Sequence, residues 1–458
     1  MSGALQSVFA NFRSSAAPSF VSLITTPDPG GKGVASDSAN NVIIVNGYSI
    51  QKFDSSGVLI WAKVAATDGY MVSVAVDSSD NIYAAGYLNS NIGFIIKFNS
   101  SGTIQWQKTQ TPAASAWYAR SILWQSIAVD SSNNIYVGGT WFNNNQAYGC
   151  CCGTPFPYKY EFGYLAIAKY NSSGTLQWAN KFGGVAANTG MSPNAELFGY
   201  GVCVDASGNA IVSGSSRIST SGTQAMVVLK YNTSGTYQWG YAYKNDSSTL
   251  ANQGIVAADS SDNIYVVSKS GYQQCFIKIN SSGTFQWGKN IFAEHLNSIT
   301  FDRTNNYLYI GGDYRYSTGA QADDYLIAKI DTSGALQFAR TLGFQGSAGR
   351  DETAYGLAIS SDNKIVFDGI TYKDNTSTSS NLFGRIPTDG SKTGTYTLSG
   401  KSMTYASVSP TYTAQTFTRT LAVSTGFSDS ENSSLTYTDA ASSLTFNSQT
   451  PTYNTQVL

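Results

Sequence analysis

The sequence VAVDSSDNIY at residues 74–83, followed by KFNSSGTIQW at residues 97–106, decides the fold. In the first segment Val74 and Val76 alternate with smaller residues, and a run of Asp, Ser and Asn then precedes a second apolar stretch. Asp and Asn suit a tight turn because their side chains bond to nearby backbone and tolerate left-handed φ angles. In the second segment Gly102 supplies the positive φ of a short hairpin, and apolar residues then alternate with polar ones. Each segment therefore predicts a β-hairpin.

Both segments recur seven times, in strict alternation. Copies of the first begin at Val34, Val74, Ile127, Val202, Val256, Ile299 and Leu357, and copies of the second begin at Lys52, Lys97, Lys169, Lys230, Lys278, Lys329 and Arg385. Two hairpins form one four-stranded antiparallel unit, and a repeat of about 40 to 70 residues with four strands is typical of a β-propeller. We therefore predict an all-β fold, a seven-bladed β-propeller over residues 20–390.

Two details predict how the ring is held together. Five units end on Trp, as at Trp61 and Trp106, and a sixth ends on Phe338. We interpret these aromatic residues as filler between adjacent blades. The segment Phe20–Ile24 stands where an outermost strand would precede the first unit. We predict that this segment completes the seventh blade and closes the ring.

The paired patterns DSSxNIY and NSSGTxQW resemble the bacterial β-propeller repeat family, over residues 20–390. This resemblance implies the propeller fold and leaves the function open, because one fold serves many roles. The opening MSGALQSVFANFRS is similar to the start of structural tail proteins from marine phages, especially cyanobacterial phages. That similarity implies an attachment peptide in residues 1–19 and a place in a virion tail. The body of the chain departs from those proteins, many of which carry Gly-rich or jelly-roll modules.

The composition narrows the classes of function. The 458 residues include 27 basic and 28 acidic ones, for a net charge of −1, and a chain without basic excess is not expected to bind nucleic acid. No run of about 18 apolar residues predicts a transmembrane helix, and the N-terminus lacks the basic and apolar regions of a secretory signal. We expect a protein made in the host cytoplasm, with no membrane insertion and no cleaved leader.

The sequence contains no recognisable catalytic or metal-binding motif. Patterns such as G-x-S-x-G, H-E-x-x-H and C-x-x-C are absent, and the single His295 is expected to be structural. The turn aspartates lack the calcium-loop pattern and are interpreted as solvated turns. Cys150, Cys151 and Cys152 are consecutive, whereas zinc ligands usually need spacers, so we favour a loop with free or partly oxidised thiols over a metal or redox site. We predict no enzyme activity, no cofactor and no metal.

From Ser391 to Leu458 the repeat stops, and Ser and Thr dominate. Weak alternation predicts an extended or short-stranded tail that becomes ordered against a partner. A flexible mucin-like stalk is the alternative. We expect the leader and this tail to contact other virion proteins or the subunits of a homo-oligomer.

Strand connectivity predicts the binding face. If the strands of a blade are named a to d from the axis outward, the short repeated turns are a–b and c–d and share one face, the regular face. Every long insertion is b–c or d–a and lies on the opposite, variable face. Binding residues concentrate on loops held by a rigid scaffold, and exposed aromatic and amide side chains stack on sugars or anchor interfaces. The ligand-binding candidates are Trp117, Tyr118, Trp141, Phe142, Asn143, Tyr148, Tyr158, Tyr314 and Tyr316.

The alternative is that these aromatic residues fill the interior of their own loops. The leading functional hypothesis is a non-enzymatic phage virion protein, a tail appendage that recognises a host-surface glycan or protein or docks onto a neighbouring subunit. A bacterial surface or secreted binding module, similar to a lectin, is the alternative. A propeller enzyme would require a carboxylate pair in the axial funnel.

Overall fold

The computed structural model describes residues 20–24, 32–65, 69–89, 92–112, 118–148, 157–183, 197–217, 224–245, 252–269, 273–315, 323–344, 352–371, 380–398, 401–415, 417–421, 432–434, 437–441, 446–448 and 453–457. Within these ranges the chain consists of strands and turns and contains no helix, as its many Tyr, Thr and turn-forming residues predict. The strands form seven antiparallel sheets, one for each pair of repeated hairpins. The predicted seven-bladed propeller is therefore confirmed.

Strand β1 (Phe20–Ile24) precedes the first repeat, and blades 1 to 6 then each contain four consecutive strands, a to d. Blade 1 contains β2 (Gly33–Ser36), β3 (Val42–Val45), β4 (Ser49–Phe53) and β5 (Leu59–Ala65). Blade 2 contains β6 (Gly69–Val76), β7 (Ile82–Leu88), β8 (Gly93–Phe98) and β9 (Ile104–Pro112). Blade 3 contains β10 (Tyr118–Val129), β11 (Ile135–Tyr148), β12 (Pro157–Tyr170) and β13 (Leu176–Phe182).

The next three blades repeat the pattern. Blade 4 contains β14 (Leu197–Val204), β15 (Ala210–Arg217), β16 (Gln224–Tyr231) and β17 (Tyr237–Asn245). Blade 5 contains β18 (Asn252–Ala258), β19 (Ile264–Lys269), β20 (Gln273–Ile279) and β21 (Phe285–Phe292). Blade 6 contains β22 (His295–Asp302), β23 (Tyr307–Arg315), β24 (Asp323–Asp331) and β25 (Leu336–Phe344).

The seventh blade closes the ring with strands from both ends of the repeat region. Its a, b and c strands are β26 (Thr353–Ile359), β27 (Lys364–Thr371) and β28 (Ser380–Pro387). Its d strand is β1, which pairs antiparallel with β28, Val21 opposite Gly384 and Ile24 opposite Asn381. The predicted closure by the N-terminal strand is therefore confirmed.

The C-terminal segment encircles the propeller. A hairpin of β29 (Gly394–Leu398) and β30 (Lys401–Ser407) lies on the outer edge of blade 6. A fifth strand is then added to blades 5, 4, 3, 2, 1 and 7, in that order, by β31 (Tyr412–Gln415), β32 (Phe417–Leu421), β33 (Asn432–Ser434), β34 (Tyr437–Ala441), β35 (Phe446–Ser448) and β36 (Tyr453–Val457). We name β30–β36 the belt. It visits every blade once, in the direction opposite to that of the repeats.

The belt corrects our expectation that the tail stands apart until a partner orders it, or forms a flexible stalk. Each d strand presents a row of backbone N–H and C=O groups on its outer side, and such edges readily pair with another strand. The tail of the same chain supplies that strand. At the closure point β1 lies between β28 and β36, so the last belt strand also holds the N-terminal strand in place.

The repeated Lys and Trp hold the c–d turn of the next blade. Lys52 Nζ and Trp61 Nε1 both donate hydrogen bonds to the carbonyl oxygen of Ser100, at 3.0 and 3.1 Å. The Trp61 ring also lies against Gly102, whose φ is 80° and where a Cβ would come within 2.8 Å of the ring. The same double contact recurs at the acceptors Ser172, Thr233, Ser281 and Thr332. The interpretation of Trp as filler between blades is therefore confirmed.

The apolar core follows the same circular order. The buried residues form seven clusters, and each joins one blade to the next. The cluster at the closure joins Val34 and Phe53 of blade 1 to Val366 and Phe383 of blade 7. Each blade therefore buries its apolar faces only against its neighbours, as expected of a repeat architecture.

Candidate functional site

The strand order confirms the assignment of two faces. The turn at Asp77–Asn81 joins a strand to b strand in blade 2, and the turn at Asn99–Thr103 joins c to d. The connections b–c and d–a therefore lie together on the opposite, variable face. In blade 3 the b–c strands β11 and β12 are 14 residues each, which makes this hairpin the longest of those that the structure describes.

Trp141 lies in this hairpin but is buried, with only 3% of its surface exposed. Its ring packs edge-on against Tyr164 at 4.8 Å, and Lys181 Nζ lies 4.0 Å from the ring centroid. Successive strand residues point to opposite sides, and Trp141 falls on the side that faces the core. The expectation that it contributes exposed aromatic surface is therefore corrected: Trp141 anchors the base of the hairpin.

The other candidates from the third blade are placed as follows. Phe142 is half-buried and lies 6.1 Å from Phe198 of blade 4, so it contributes to the interface between blades. Strand β10 begins at Tyr118, and the hairpin backbone carries Asn143, Tyr148 and Tyr158 on β11 and β12. Trp117 and Cys150–Cys152 lie outside the described residues, as does Tyr316 of the sixth blade.

The sixth-blade cluster is largely an ion-pair network. Arg315 binds the Asp323 carboxylate with two hydrogen bonds, at 2.8 and 3.0 Å, and lies 3.4 Å from Glu294. Asp323 is buried. Burial raises the pKa of Glu294, whereas Arg315 lowers it. Tyr314 is half-buried and lies 6.2 Å from Phe292. The cluster stabilises the start of β24 rather than presenting free carboxylates.

The a strands of all seven blades begin around one cavity at the variable-face end of the central channel. In each blade, one residue lies five positions before the first residue of the a–b turn. We name these seven equivalent residues the axial ring: Lys32, Val72, Gln125, Tyr200, Gly254, Asn297 and Tyr355. All of these except Gly254 line a cavity of about 350 Å³, together with Tyr70, Tyr87 and Ile255. Sites for small molecules usually measure about 300–1,000 Å³.

β-Bulges direct the axial ring toward the channel. In five blades the register of the a–b pair shifts at the ring position, at Val72, Gln125, Tyr200, Asn297 and Tyr355. A bulge leaves one residue out of the ladder and changes the direction of its side chain. All five residues are half-buried, so their side chains line the channel without being sealed into the core.

The ring position diverges where the rest of the repeat is constant. Five residues later every blade except the seventh has Asp, and the seventh has Ser360. The axial ring instead contains one Lys, one Val, one Gln, one Asn, one Gly and two Tyr. A position that served only the scaffold would be expected to repeat with it. Sequence reasoning overlooked this position because it compared the letters that recur and not those that change.

One side of the cavity combines an ammonium group with aromatic faces. Lys32 Nζ lies 4.9 Å from the ring centroid of Tyr355 and 5.8 Å from that of Tyr70. Tyr70 stacks on Tyr87 at 5.5 Å and meets Tyr48 edge-on at the same distance. Burial, together with the two neighbouring tyrosines, raises the pKa of Tyr87. Tyr87 therefore stays neutral, and the tyrosines offer hydroxyl groups and flat apolar surfaces.

The part of the cavity lining that comes from blades 3 to 6 is uncharged: Gln125, Tyr200, Ile255 and Asn297. Asn297 Nδ2 donates to the carbonyl oxygen of Ala354 at 3.2 Å and to Asp313 Oδ1 at 3.3 Å. Asp313 also binds Nδ1 of His295 at 2.8 Å, which gives the single histidine a structural partner. Burial raises the pKa of Tyr200. These amide groups and the Tyr200 hydroxyl offer directed hydrogen bonds beside the flat rings of the tyrosine cluster.

A buried carboxyl group lies behind Lys32. Asp368 on β27 is fully buried, at a position that is Ala85 in blade 2 and Gly311 in blade 6. Burial raises the pKa of Asp368 to about 7, although Lys32 and the amides of Gly33 and Gly356 favour its charged form. Among the described residues no hydrogen bond of normal geometry reaches either carboxylate oxygen.

Arg303 crosses the opposite end of the channel. It lies in the a–b turn of blade 6, on the regular face, and its Nη2 donates to the carbonyl oxygen of Val204 in blade 4 at 2.8 Å. The side chain thus spans the width of blade 5. It lies beside Asp37 and Ser361 at this end of the channel. The two ends of the channel therefore differ: one is bounded by the varied axial ring, the other by repeated turns and a guanidinium group.

The first Asp of the a–b turn is a structural group, and in blades 1, 2, 4, 5 and 6 it is buried rather than solvated. Asp77 Oδ1 accepts hydrogen bonds from the backbone N–H groups of Ser79 and Asn81, and Oδ2 accepts one from the Tyr83 hydroxyl at 2.8 Å. Although burial opposes ionisation, these hydrogen bonds lower the pKa of Asp77. Asp37 and Asp205 instead pair with a lysine, at 2.8 and 2.7 Å. Within the described ranges no group of three or more His, Cys, Asp or Glu residues converges as a metal site would require.

The comparisons with known proteins add likeness of fold only. No protein-family model and no curated protein matches the chain. Among solved structures, a protein of unknown function from Bacteroides caccae is 15% identical, with a TM-score of 0.38, over 70% of this chain and 92% of that one. The Dos1 propeller is 13% identical, with a TM-score of 0.40, over 77% of each chain. A chain of the mitotic checkpoint complex is 11% identical, with a TM-score of 0.44, over 82% of this chain and 94% of that one.

In the part of the chain that the structure describes, no helix is long and apolar enough to cross a membrane. The two described cysteines, Cys203 and Cys275, are both free. Burial raises the pKa of each thiol to about 12, so neither is an activated nucleophile, since the thiolate is the reactive form.

Proposed function

We propose that this protein is a non-enzymatic recognition protein of a phage virion, a tail appendage whose propeller binds a host-surface glycan in the axial cavity. The observation that carries the proposal is the divergence of the axial ring on an otherwise repeated scaffold. Seven equivalent positions with different side chains form an asymmetric surface, which a sugar with several distinct hydroxyl groups requires. Tyrosine faces and amide groups supply stacking and directed hydrogen bonds.

The place in the virion rests on the similarity of residues 1–14 to the start of phage tail proteins. In this proposal the leader attaches the protein to other virion proteins, and the assembly is a homo-oligomer. A surface that meets a host cell must tolerate harsh conditions outside the cell. The belt and the double pairing of β1 suit that requirement.

A bacterial surface or secreted binding module remains the second candidate. One observation favours it: the tail pairs with the blades of its own chain, so the propeller is complete without a virion partner. Tail and capsid genes beside this gene would support the virion, whereas an export system for this protein would support the surface module. Both candidates use the same cavity.

Binding to host cells and to a glycan array tests the site. Fluorescently labelled wild-type protein is compared with Tyr355→Ala and Gln125→Ala, which alter the axial ring, and with Val58→Ala, an exposed position on the regular face. We expect the two ring variants to lose at least tenfold in affinity and the control to bind as wild type does. The bound glycan is expected to be recovered unchanged. Equal binding by all four proteins would refute the axial site, and cleavage of the glycan would refute the non-enzymatic assignment.

A further inference from the structure

Among the described residues, Lys32 is the cation that lines the axial cavity, and it makes no ion pair within 4.0 Å. Lys32 stands between Tyr70 and Tyr355 and is half-buried. The equivalent residue in the other blades is uncharged. By contrast, the repeated scaffold lysines pair with turn residues, as Lys52 does with Asp37 at 2.8 Å. Lys32 is therefore an addition to the repeat and not part of its framework.

The carboxyl group behind Lys32 is likewise an addition. No other blade has an acidic residue at the position of Asp368. Its carboxyl group lies against the backbone of Gly356, where an added Cβ would come within 2.2 Å of Oδ1, and beside Gly33, the neighbour of Lys32 in sequence. Lys32 and Asp368 thus occur together at these two positions in one place, where the last blade meets the first.

The other titratable groups around Asp368 are few. Lys32 approaches from the segment before β2, and its positive charge stabilises the carboxylate. Tyr325 approaches from β24 of blade 6 and donates its hydroxyl to the carbonyl oxygen of Ile370 at 2.9 Å. Glu352 and Tyr355 lie beyond it and, with Asp368, disfavour ionisation of Tyr325. Tyr325 therefore stays neutral, and Lys32 is the charged partner of Asp368.

We propose that the axial cavity takes a uronic acid residue of an acidic polysaccharide, with the sugar carboxylate on the Lys32 ammonium group and the sugar ring against Tyr70 and Tyr355, and that binding is coupled to protonation of Asp368. This inference rests on the proposed function. A carboxylate on Lys32 forms a charge-assisted hydrogen bond, which is stronger than a neutral one. A neutral sugar gains no such contact.

The coupling to protons follows from competition for Lys32. When Asp368 is ionised, Lys32 is already partly neutralised, and the ligand carboxylate meets a second negative charge nearby. When Asp368 is protonated, it no longer competes with the ligand carboxylate for the Lys32 ammonium group. A bound anion therefore favours the protonated form of Asp368, and by linkage protons favour binding. The carboxylate of the sugar stays ionised throughout this range, since ordinary carboxyl groups ionise near pH 4. Affinity for uronic acids rises as the pH falls from 8 to 6.

The test uses an array of oligosaccharides that contain uronic acids, each beside its carboxyl-reduced, neutral counterpart. The proteins are the wild type, Lys32→Gln, Lys32→Arg and Asp368→Asn, each checked for an intact propeller by circular dichroism. The wild type is expected to bind its best uronic acid ligand at least tenfold more tightly than the reduced form. Lys32→Arg keeps this preference, and Lys32→Gln binds both forms alike. For the wild type, affinity for the acidic ligand is severalfold higher at pH 6 than at pH 8, and Asp368→Asn abolishes this difference.

Several results would overturn the inference. Tightest binding to neutral sugars, with loss in Tyr355→Ala, would refute the acidic ligand while leaving the proposed glycan site intact. A uronic acid preference that survives Lys32→Gln would place the carboxylate elsewhere. A pH dependence that persists in Asp368→Asn would refute the proton coupling. If the wild type binds none of the oligosaccharides and also fails to adsorb to host cells, both this inference and the proposed function are refuted.

Discussion

Arg385 of the last blade donates a hydrogen bond from Nη1 to the carbonyl oxygen of Ser55 in the first blade, at 2.9 Å. In the other blades a lysine makes the equivalent contact with the next c–d turn, as Lys97 does with Ser172 at 3.0 Å. The arginine therefore completes the circle of contacts between blades at the seam where the two ends of the repeat region meet. It is almost fully buried and also pairs with Asp362.

Replacement of Arg385 by Met is expected to destabilise the protein by roughly 3 kcal/mol, because removal of one partner leaves the other charge without compensation. The hydrogen bond of Arg385 helps to lower the pKa of Asp362 against the effect of burial. The matched control is Lys97→Met, whose contact is exposed and is expected to contribute about 1 kcal/mol or less. Chemical denaturation measures both. Equal losses of stability in the two variants would show that the buried arginine at the closure contributes no more than an exposed lysine does.

The turn glycines provide a second matched pair. Gly174 has a φ of 79°, and a Cβ there would lie 2.9 Å from the Trp106 ring. Gly174→Ala is expected to lower stability by about 2 kcal/mol, through backbone strain and displacement of the indole. The result is read from the melting temperature and from the fluorescence of the tryptophans.

The contrasting change is Gly208→Asn. Gly208 has a φ of 80°, and its equivalent in blade 3 is Asn133, with a φ of 61°. Asn133 Oδ1 accepts hydrogen bonds from the backbone and hydroxyl of Ser78 in blade 2. An added Cβ at Gly208 meets only the methyl group of Thr233, at 3.3 Å. We expect unchanged or slightly higher stability, by up to about 1 kcal/mol. A loss as large as that of Gly174→Ala would contradict the distinction.

The belt predicts the behaviour of a truncated chain. Deletion of residues 408–458 removes β31–β36 and exposes the outer backbone edges of six blades. The four-stranded blades are expected to form, because the buried members of the described core clusters lie before residue 408, but the exposed edges promote aggregation. Light scattering is expected to show oligomers, and limited proteolysis is expected to be faster. A truncated monomer as resistant as the full chain would contradict this role of the belt.

Much of the fold is predictable because the residues that stabilise one blade recur at the same positions of the repeat. The Lys and Trp of one blade recur because both donate to one carbonyl group in the c–d turn of the next blade, as at Ser100, and the Gly of that turn recurs because the Trp ring lies against it. Closure by Phe20–Ile24 is predictable because every other blade already has its d strand. Both the repeated turn contacts and the closure strand follow from sequence patterns that fit a single arrangement of strands.

The belt and the site are harder to predict, for two different reasons. The belt strands pair with the blade edges through backbone groups, which nearly every residue carries, so the pairing leaves little pattern in the sequence. For Trp141, its position in a loop-like insertion suggests exposure, yet the hairpin continues as regular strand and turns the indole inward. The axial ring is marked only by variation between repeats, which a search for recurring letters does not detect.

The buried Asp368 predicts a pH dependence of stability. Its pKa in the folded protein is about 7, above the ordinary 3.8. Because the folded state holds this proton more tightly than the unfolded chain, the stabilising contribution is present in acid and is lost as the pH rises toward 7. At pH 8, Asp368→Asn is expected to melt at a higher temperature than the wild type, and its free energy of unfolding is expected to be higher by at most about 4 kcal/mol. At pH 4 the two proteins are expected to differ little in melting temperature. A larger increase in melting temperature at pH 4 than at pH 8 would contradict the raised pKa of Asp368.

The claim that recognition takes place in the axial cavity is tested most directly by filling the cavity. Gln125→Trp places an indole at a half-buried ring position that lines the cavity, whereas Val58→Trp adds the same group on the regular face, where Val58 is 52% exposed. Adsorption to host cells is measured for both, after circular dichroism and melting confirm an intact propeller. We predict that Gln125→Trp abolishes adsorption and that Val58→Trp adsorbs as wild type does. Normal adsorption by Gln125→Trp, with loss in Val58→Trp, would show that the regular face meets the host and that the axial cavity does not.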